Sequence, residues 1–498
     1  MNFVFFFPDE MSAPTVSCDG NQAIKIPNFD RLANEGVKFE NCIVQNPVCS
    51  PSRCSLMTGW YVHNMGHRSL WHLLRPHEPS LFRYLKNSGY DIKWFGKNDL
   101  YSQEYLNEIC DDIDEKRNGY QTNPQRKYRI VHGGINSNPY NFENPEYYSF
   151  LYEPVKEEHE AGALLEENIV RAIDFLHSWK EGDKPFMLFL PIIMPHPPYN
   201  ALKQFQDMYD PNQLKTNLVM PEETFGKPSY IELIRKIRRL DQLNPDFFAK
   251  IYATYLGMNS YVDFLLGELM NTLEESKLDK NTTLIVSSDH GDWAGNYGLV
   301  EKWPNAMDDD LVKVPLLIKA PNKKARGHIV NEQVELFDIM PTILELAGIK
   351  AEHTHFAQSL IPQLEGKAGN SDRVVFAEGG YDSHDIRCFE YHPRRNGLLE
   401  KTNIYYPKII QQKDYPESVC RTTMMRTLTH KLIIRTSGEN EFYDLVNDPK
   451  ELTNVYNNSK YFEIIRKMEF QMLNWYVKTS DVVPLDDDNR GFGNNSNF

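Results

Sequence analysis

Phe3-Val4-Phe5-Phe6-Phe7 runs without a polar break to Pro8. A strand with one wet face would alternate, so a continuous run bounded by a breaker reads as a strand buried on both faces. Comparable apolar runs stand at Val37–Val44, Tyr90–Phe95, Pro185–Ile193, Thr282–Ser287 and Val314–Ile318. Between them the period becomes helical. Pro27–Glu35 puts Phe29, Leu32 and Ala33 on one side and stops at Gly36, and Ser80 caps a segment carrying Leu81, Phe82 and Leu85 that stops at Gly89. Leu165, Ile169, Ile173 and Leu176 keep amphipathic spacing, as do Ile251, Tyr255, Met258, Val262, Leu265, Leu269 and Leu273 within 246–275. A further helix is predicted over 338–348. This alternation predicts an α/β fold with a large, mostly parallel sheet flanked by helices.

Beyond about residue 365 the rhythm shortens. Met424–Arg426, Lys431–Arg435 and Glu441–Leu445 predict a small antiparallel sheet, followed by a helix over 460–476 with Ile464, Ile465, Met468 and Met472 facing inward. We therefore divide the chain into a large domain, 1–365, and a smaller C-terminal α+β domain, 366–498. Residues 486–498, polar and rich in Gly and Asn, read as a mobile tail. Residues 101–155 are polar with no sustained period and read as an irregular insertion over one edge of the sheet, a region suited to specificity.

Composition narrows the function. At 498 residues the chain exceeds what one hydrophobic core spans. A formal net charge of −15 excludes nucleic acid as a partner class, although a local cationic pocket can still hold a small anion. The 7 cysteines are scattered and odd in number, unlike a disulfide framework or a metal finger. The opening apolar run is too short for a signal peptide and lacks a basic flank, and no run approaches the roughly 20 apolar residues of a membrane span. A cytoplasmic location without a membrane partner is the expectation, or a periplasmic or secreted one if a leader has been removed.

The chemistry concentrates in Cys49-Ser50-Pro51-Ser52-Arg53-Cys54-Ser55-Leu56-Met57-Thr58-Gly59. Proline two places after the cysteine suits the first turn of a helix, which would leave Cys49 just before the N-terminus among free N–H groups that favour anions. Arg53 follows one turn later and can point at the same spot. The competing reading is a buried structural cysteine beside a surface arginine. Other candidates close predicted strands, at the edge where open parallel sheets bind ligands. They are Asp9-Glu10, Gly96-Lys97-Asn98-Asp99, Pro195-His196-Pro197 and Asp289-His290, with Lys302 further on. Asp9 and Glu10 read equally as a solvated loop or as ligands of a hard cation. His63 and His67 read first as loop hydrogen-bonding groups, and Arg75-Pro76-His77-Glu78 as a possible pocket lining.

Cys49-x-Pro51-Ser52-Arg53, followed by Leu56-Met57-Thr58-Gly59, resembles the signature of the formylglycine-dependent type I sulfatases of the alkaline phosphatase superfamily. The elements at Asp9, Lys97, His196, Asp289-His290 and Lys302 follow in the family's order. The resemblance implies an alkaline-phosphatase-like fold and hydrolysis of a sulfate ester. It implies that a maturation enzyme oxidises Cys49 to formylglycine, whose hydrated aldehyde is the nucleophile. One divalent cation would be held by Asp9, Asp289, His290 and residue 49, with Glu10 beside them. Ca²⁺ is expected from the family, with Mg²⁺, Mn²⁺ and Zn²⁺ as alternatives for a set of oxygens and one imidazole. Arg53 would stabilise the nucleophile, Lys97 and Lys302 the non-bridging sulfate oxygens, and His196 the leaving oxygen. The implied partner is a small sulfated sugar, aryl or alkyl ester; a phosphonate monoester or phosphodiester is the alternative. Two positions depart from the pattern. Glu10 stands where the family usually has Asp or Gln, and Asp99 replaces the histidine of Gly-Lys-x-His.

Overall fold

β1 (Asn2–Phe6) sends Val4 and Phe6 into one core layer, while Phe3 and Phe5, with Phe7 beyond the strand, enter the opposite one. The computed structural model describes residues 1–15, 21–113, 138–152, 154, 166–391 and 399–487. β1 lies at the middle of an eight-stranded sheet. Its companions are β2 (Val37–Ile43), β3 (Asp91–Trp94), β4 (Asp112–Ile113), β5 (Phe186–Leu190), β6 (Thr282–Ser287), β7 (Lys313–Lys319) and β8 (His328–Glu335). The order is β4-β3-β5-β1-β6-β7-β2-β8. β7 alone runs against its neighbours, pairing antiparallel with both β6 and β2. The C-terminal ends of β1, β2, β3, β5 and β6 therefore share one edge.

Helices cover both faces. On one side Pro27–Glu35, Glu167–Ser178 and Pro245–Glu275 pack against Val4, Phe6, Leu188 and Val286. On the other, Cys49–Thr58, Leu81–Asn87 and Ile339–Ala347 pack against Phe3, Phe5, Phe189 and Ile285. Every side chain of β1 and β5 is buried, which is why these strands read as unbroken apolar runs. Among the described residues no helix is long and apolar enough to cross a membrane.

The Pro27–Glu35 helix is capped from a distance. Buried Asp263, on the Pro245–Glu275 helix, accepts hydrogen bonds from the backbone N–H groups of Asn28 and Phe29 at 2.9 and 2.8 Å and from Asn28 Nδ2 at 2.9 Å. Asp263→Ala leaves these donors unmet and is expected to cost about 1–3 kcal/mol, read as a lower denaturation midpoint with an unchanged slope.

A second sheet of four antiparallel strands, in the order β12-β11-β10-β9, comprises β9 (Val375–Gly379), β10 (Thr422–Arg426), β11 (His430–Arg435) and β12 (Glu441–Asp444). The Phe462–Thr479 helix lies on it, burying Ile465, Met468, Met472 and Trp475, with Trp475 stacked on Phe376 at 4.3 Å. Ile464 is only partly buried there.

The stretch 101–155 departs from the irregular segment expected. Ser102 caps a helix, Gln103–Ile109, that buries Tyr105, Leu106 and Ile109, and β4 extends the main sheet. One serine cap and three inward side chains suffice, too short a pattern to register as a period. Residues 114–137, 153 and 155 of that stretch, Leu165 of the predicted helix and 488–498 of the tail lie outside the described residues.

Candidate active site

The Cys49–Thr58 helix begins one residue earlier than the proline implied. Val48 is its extended N-cap and Cys49 its first residue. The Val48 carbonyl accepts the Ser52 N–H at 3.1 Å, so the first turn closes around Cys49, and Pro51 sits where a missing N–H costs nothing. Asn46 ties the entry down, accepting from Val48 N–H at 2.9 Å and donating to the Glu378 carbonyl at 2.8 Å. The helix stops at Gly59 in the left-handed region (φ 69°).

Arg53 is no surface arginine, being 1% exposed. Its Nε donates to Asp289 Oδ2 at 2.9 Å and its Nη2 to Asp9 Oδ2 at 2.8 Å, while the guanidinium lies over the Phe7 ring. Lys97 Nζ adds a contact to the same Asp9 oxygen at 2.6 Å. Asp9 is fully buried, which opposes its charge, but Lys97 and Arg53 hold its carboxyl well below the usual range. Asp9 Oδ1 is left facing Cys49 Sγ at 3.8 Å.

Around the sulfur stand two further groups. His290 Nε2 lies 3.2 Å from Sγ and Lys97 Nζ 3.6 Å from it. His290 Nδ1 is 2.9 Å from the Gly291 carbonyl, an acceptor, so Nδ1 carries the proton and Nε2 offers its lone pair to the site. Gly291 is demanded by space: a Cβ there would sit 1.9 Å from the Asp310 carbonyl oxygen. Burial first, then Asp9, pushes the Cys49 thiol well up, so it is protonated at neutral pH.

Glu10 adopts a left-handed backbone (φ 69°) at the end of β1, with its N–H on Asp289 Oδ1 at 3.1 Å and its carbonyl taking Tyr255 Oη at 2.6 Å. Its Oε2 meets Lys302 Nζ at 2.6 Å and His196 Nε2 at 3.3 Å, and its carboxyl also hydrogen-bonds the buried Asp292 side chain. Burial raises the Glu10 carboxyl to about 8 against the pull of Lys302. His196 Nδ1 donates to the Pro197 carbonyl at 2.6 Å, so its Nε2 accepts from Lys302 at 3.1 Å. Burial, then Lys302 and Lys97, pushes His196 well below the usual imidazole range, and the ring is neutral.

The donors fit a divalent cation. One atom each from Asp9, Cys49, Asp289 and His290 lies within 4.8 Å of every other, and so does one each from Asp9, Glu10 and His196. The carboxylate oxygens of Asp9 and Asp289 and the lone pair of His290 Nε2 are the acceptors such an ion would satisfy.

All the strand-end residues expected of the site, Asp9, Glu10, Lys97, His196, Asp289 and His290, thus meet around Cys49 with Arg53 and Lys302. His63 and His67 do not join them. His63 bridges Glu378 and Thr479, and His67 bonds the His72 carbonyl and Glu78. Glu78 in turn holds Arg75 at 2.7 Å, so this turn is structural.

A cavity of about 340 Å³ opens beside Cys49, lined among others by Lys97, Asp99, His196 and Lys302. Its outer wall brings in residues the sequence did not single out: Leu70, Leu73, Glu301, Glu390, Tyr405 and Lys408. Buried Lys408 pairs with Glu301 at 2.9 Å and Glu390 at 3.3 Å, and Glu301 also takes Arg238 at 2.5 Å. Lys408 lies on a short helix, Tyr406–Asp414, that also buries Pro407 and Ile409.

The family model "Sulfatase" matches residues 1–349. The chain belongs to the sulfatase family. It is a sulfuric ester hydrolase of the alkaline phosphatase superfamily by that membership. It is 23% identical over 489 residues to the uncharacterized sulfatase YidJ of Escherichia coli (strain K12), covering 96% of this chain and 88% of that protein. It is 25% identical over 504 residues to an arylsulfatase of Clostridium perfringens, covering 93% and 92%. In fold it resembles the phosphonate monoester hydrolase of Agrobacterium radiobacter, with a TM-score of 0.73, 19% identity, and 98% and 100% of the chains covered.

Proposed function

We propose that the chain hydrolyses a small sulfate ester, using formylglycine made from Cys49 by a maturation enzyme and one divalent cation, Ca²⁺ by preference. The observation that carries this reading is the crowding of Asp9, Asp289 and His290 around Cys49 Sγ, beside a cavity into which Lys97 and Lys302 face. A buried thiol with a raised pKa is a poor nucleophile as it stands, which favours conversion over direct thiolate attack. Formylglycine supplies an oxygen nucleophile that can be regenerated after each turnover, and the cation lowers the cost of charge on that oxygen.

The chain's own residues do the rest. Asp9, Asp289 and His290 would hold the cation, and Glu10 stands in a second group with Asp9 and His196. Arg53 fixes Asp9 and Asp289 by one bond to each and keeps their spacing. Lys97 and Lys302 receive the non-bridging oxygens, two fixed positive charges in a site that need not reorganise. Lys302 and His196, 3.1 Å apart, form a pair through which a proton reaches the leaving oxygen.

The test is protein co-produced with a formylglycine-generating enzyme, checked by peptide mass spectrometry at residue 49, then assayed on aryl sulfate, phenylphosphonate monoester and phosphodiester panels. Aldehyde at position 49 and preference for sulfate are expected. Activity should vanish in chelator and return best with Ca²⁺ among Ca²⁺, Mg²⁺, Mn²⁺ and Zn²⁺. Full activity with an intact thiol overturns the nucleophile. A large preference for phosphonate supports the second reading, a phosphonate monoester or phosphodiester hydrolase, which Asp99 beside Lys97 keeps in view.

A further inference from the structure

Three lysines face the cavity, and each is already held between partners. Lys97 lies between Asp9 at 2.6 Å and Asp99 at 2.9 Å. Lys302 lies between Glu10 and His196, and Lys408 between Glu301 and Glu390. Against these cations the wall sets Asp99, Glu301 and Glu390. Asp99 is the carboxylate paired with the lysine that stands 3.6 Å from Cys49 Sγ. Burial opposes its ionisation, but Lys97 and Arg53 hold its carboxyl below the usual range, so it is a fixed negative charge at neutral pH.

We infer that Asp99 is a specificity residue that admits a singly charged ester and rejects one carrying a second negative charge. The inference rests on the sulfate-ester reading and deepens it. Lys97 is divided between Asp9 and Asp99, so a monoanion is matched by what remains of its charge and by Lys302, whereas the second charge of a dianion lies beside the Asp99 carboxylate with Lys97 already engaged. Glu301 and Glu390 are each matched by Lys408, and Glu301 also by Arg238, so Asp99 is the carboxylate of this wall that stands beside the lysine nearest Cys49. Asp99 can accept hydrogen bonds from hydroxyl or ammonium groups of the ester.

Aryl sulfate, aryl phosphate and phenylphosphonate monoester separate the possibilities, because phosphate monoesters pass from mono- to dianion near pH 6. For the wild-type chain the kcat/KM ratio of phosphate to sulfate is expected to fall as pH rises through that value. In Asp99→Asn the ratio at pH 8 should rise at least about tenfold, with little change at pH 5. Asp99→Ser, which changes the same charge with less bulk, should move it in the same direction. Equal loss on all three esters at both pH values, with unchanged melting, overturns the inference and leaves Asp99 as a positioning residue for Lys97. A ratio that does not move overturns it too. Wild-type protein that carries the aldehyde yet turns over none of the esters overturns the sulfate-ester reading itself, and this inference falls with it.

Discussion

Cys49→Ser is expected to abolish steady-state turnover, by at least about 10³-fold, while leaving the fold intact. The side chain is 2% exposed and sits at the first position of its helix, where serine is accommodated as easily as cysteine. Its hydroxyl would occupy the place of Sγ, close to His290 Nε2 and Lys97 Nζ, so attack on a bound ester remains geometrically open. Release is what fails. A serine oxygen that attacked sulfur would form an ordinary ester with no second hydroxyl to expel the sulfuryl group. The measurement is a product burst no larger than the enzyme concentration, with the adduct found at residue 49 by mass spectrometry. Sustained turnover by the serine variant would remove the need for an aldehyde altogether.

That prediction draws on parts of the molecule that were readable in the sequence, for a physical reason. The strands at 2–6, 186–190 and 282–287 are buried on both faces, so their apolar runs stop where the chain reaches the solvent edge. Polar residues immediately after such a stop, Asp9-Glu10, His196 and Asp289-His290, must lie at that edge together. Gly96, whose Cβ would strike the Pro191 carbonyl at 2.3 Å, brings Lys97 in by the same logic. The outer wall obeys no such rule. Glu390, Tyr405 and Lys408 come from a segment whose short helix and loops carry no sustained period, and their place depends on long-range pairs such as Lys408–Glu301 and Tyr381 Oη–Gln412. β8 escaped notice for a related reason, since its first half alternates poorly and only Val330 and then Gln333 to Glu335 are buried.

Arg53→Met is the variant in which stability and cation binding are expected to separate most clearly. Methionine matches the length of the arginine stem and keeps the contact with Phe7, so the loss is that of charge and hydrogen bonds. Two fully buried carboxylates, Asp9 and Asp289, then lose the guanidinium that bridges them, and only Lys97 still faces Asp9. Breaking a buried pair on one side typically costs about 3–5 kcal/mol, because the remaining charge stays buried without compensation. A divalent ion held by the same carboxylates offsets part of that repulsion. In chelator the variant should therefore melt well below the wild type, and added Ca²⁺ should raise its melting temperature more than it raises that of the wild type. Activity should stay low even in Ca²⁺, since the spacing of Asp9 and Asp289 is no longer fixed by one rigid fork. Equal Ca²⁺ stabilisation of the two proteins would mean that the ion does not bind where Arg53 reaches, and the assignment of Asp9 and Asp289 as its ligands would have to be abandoned.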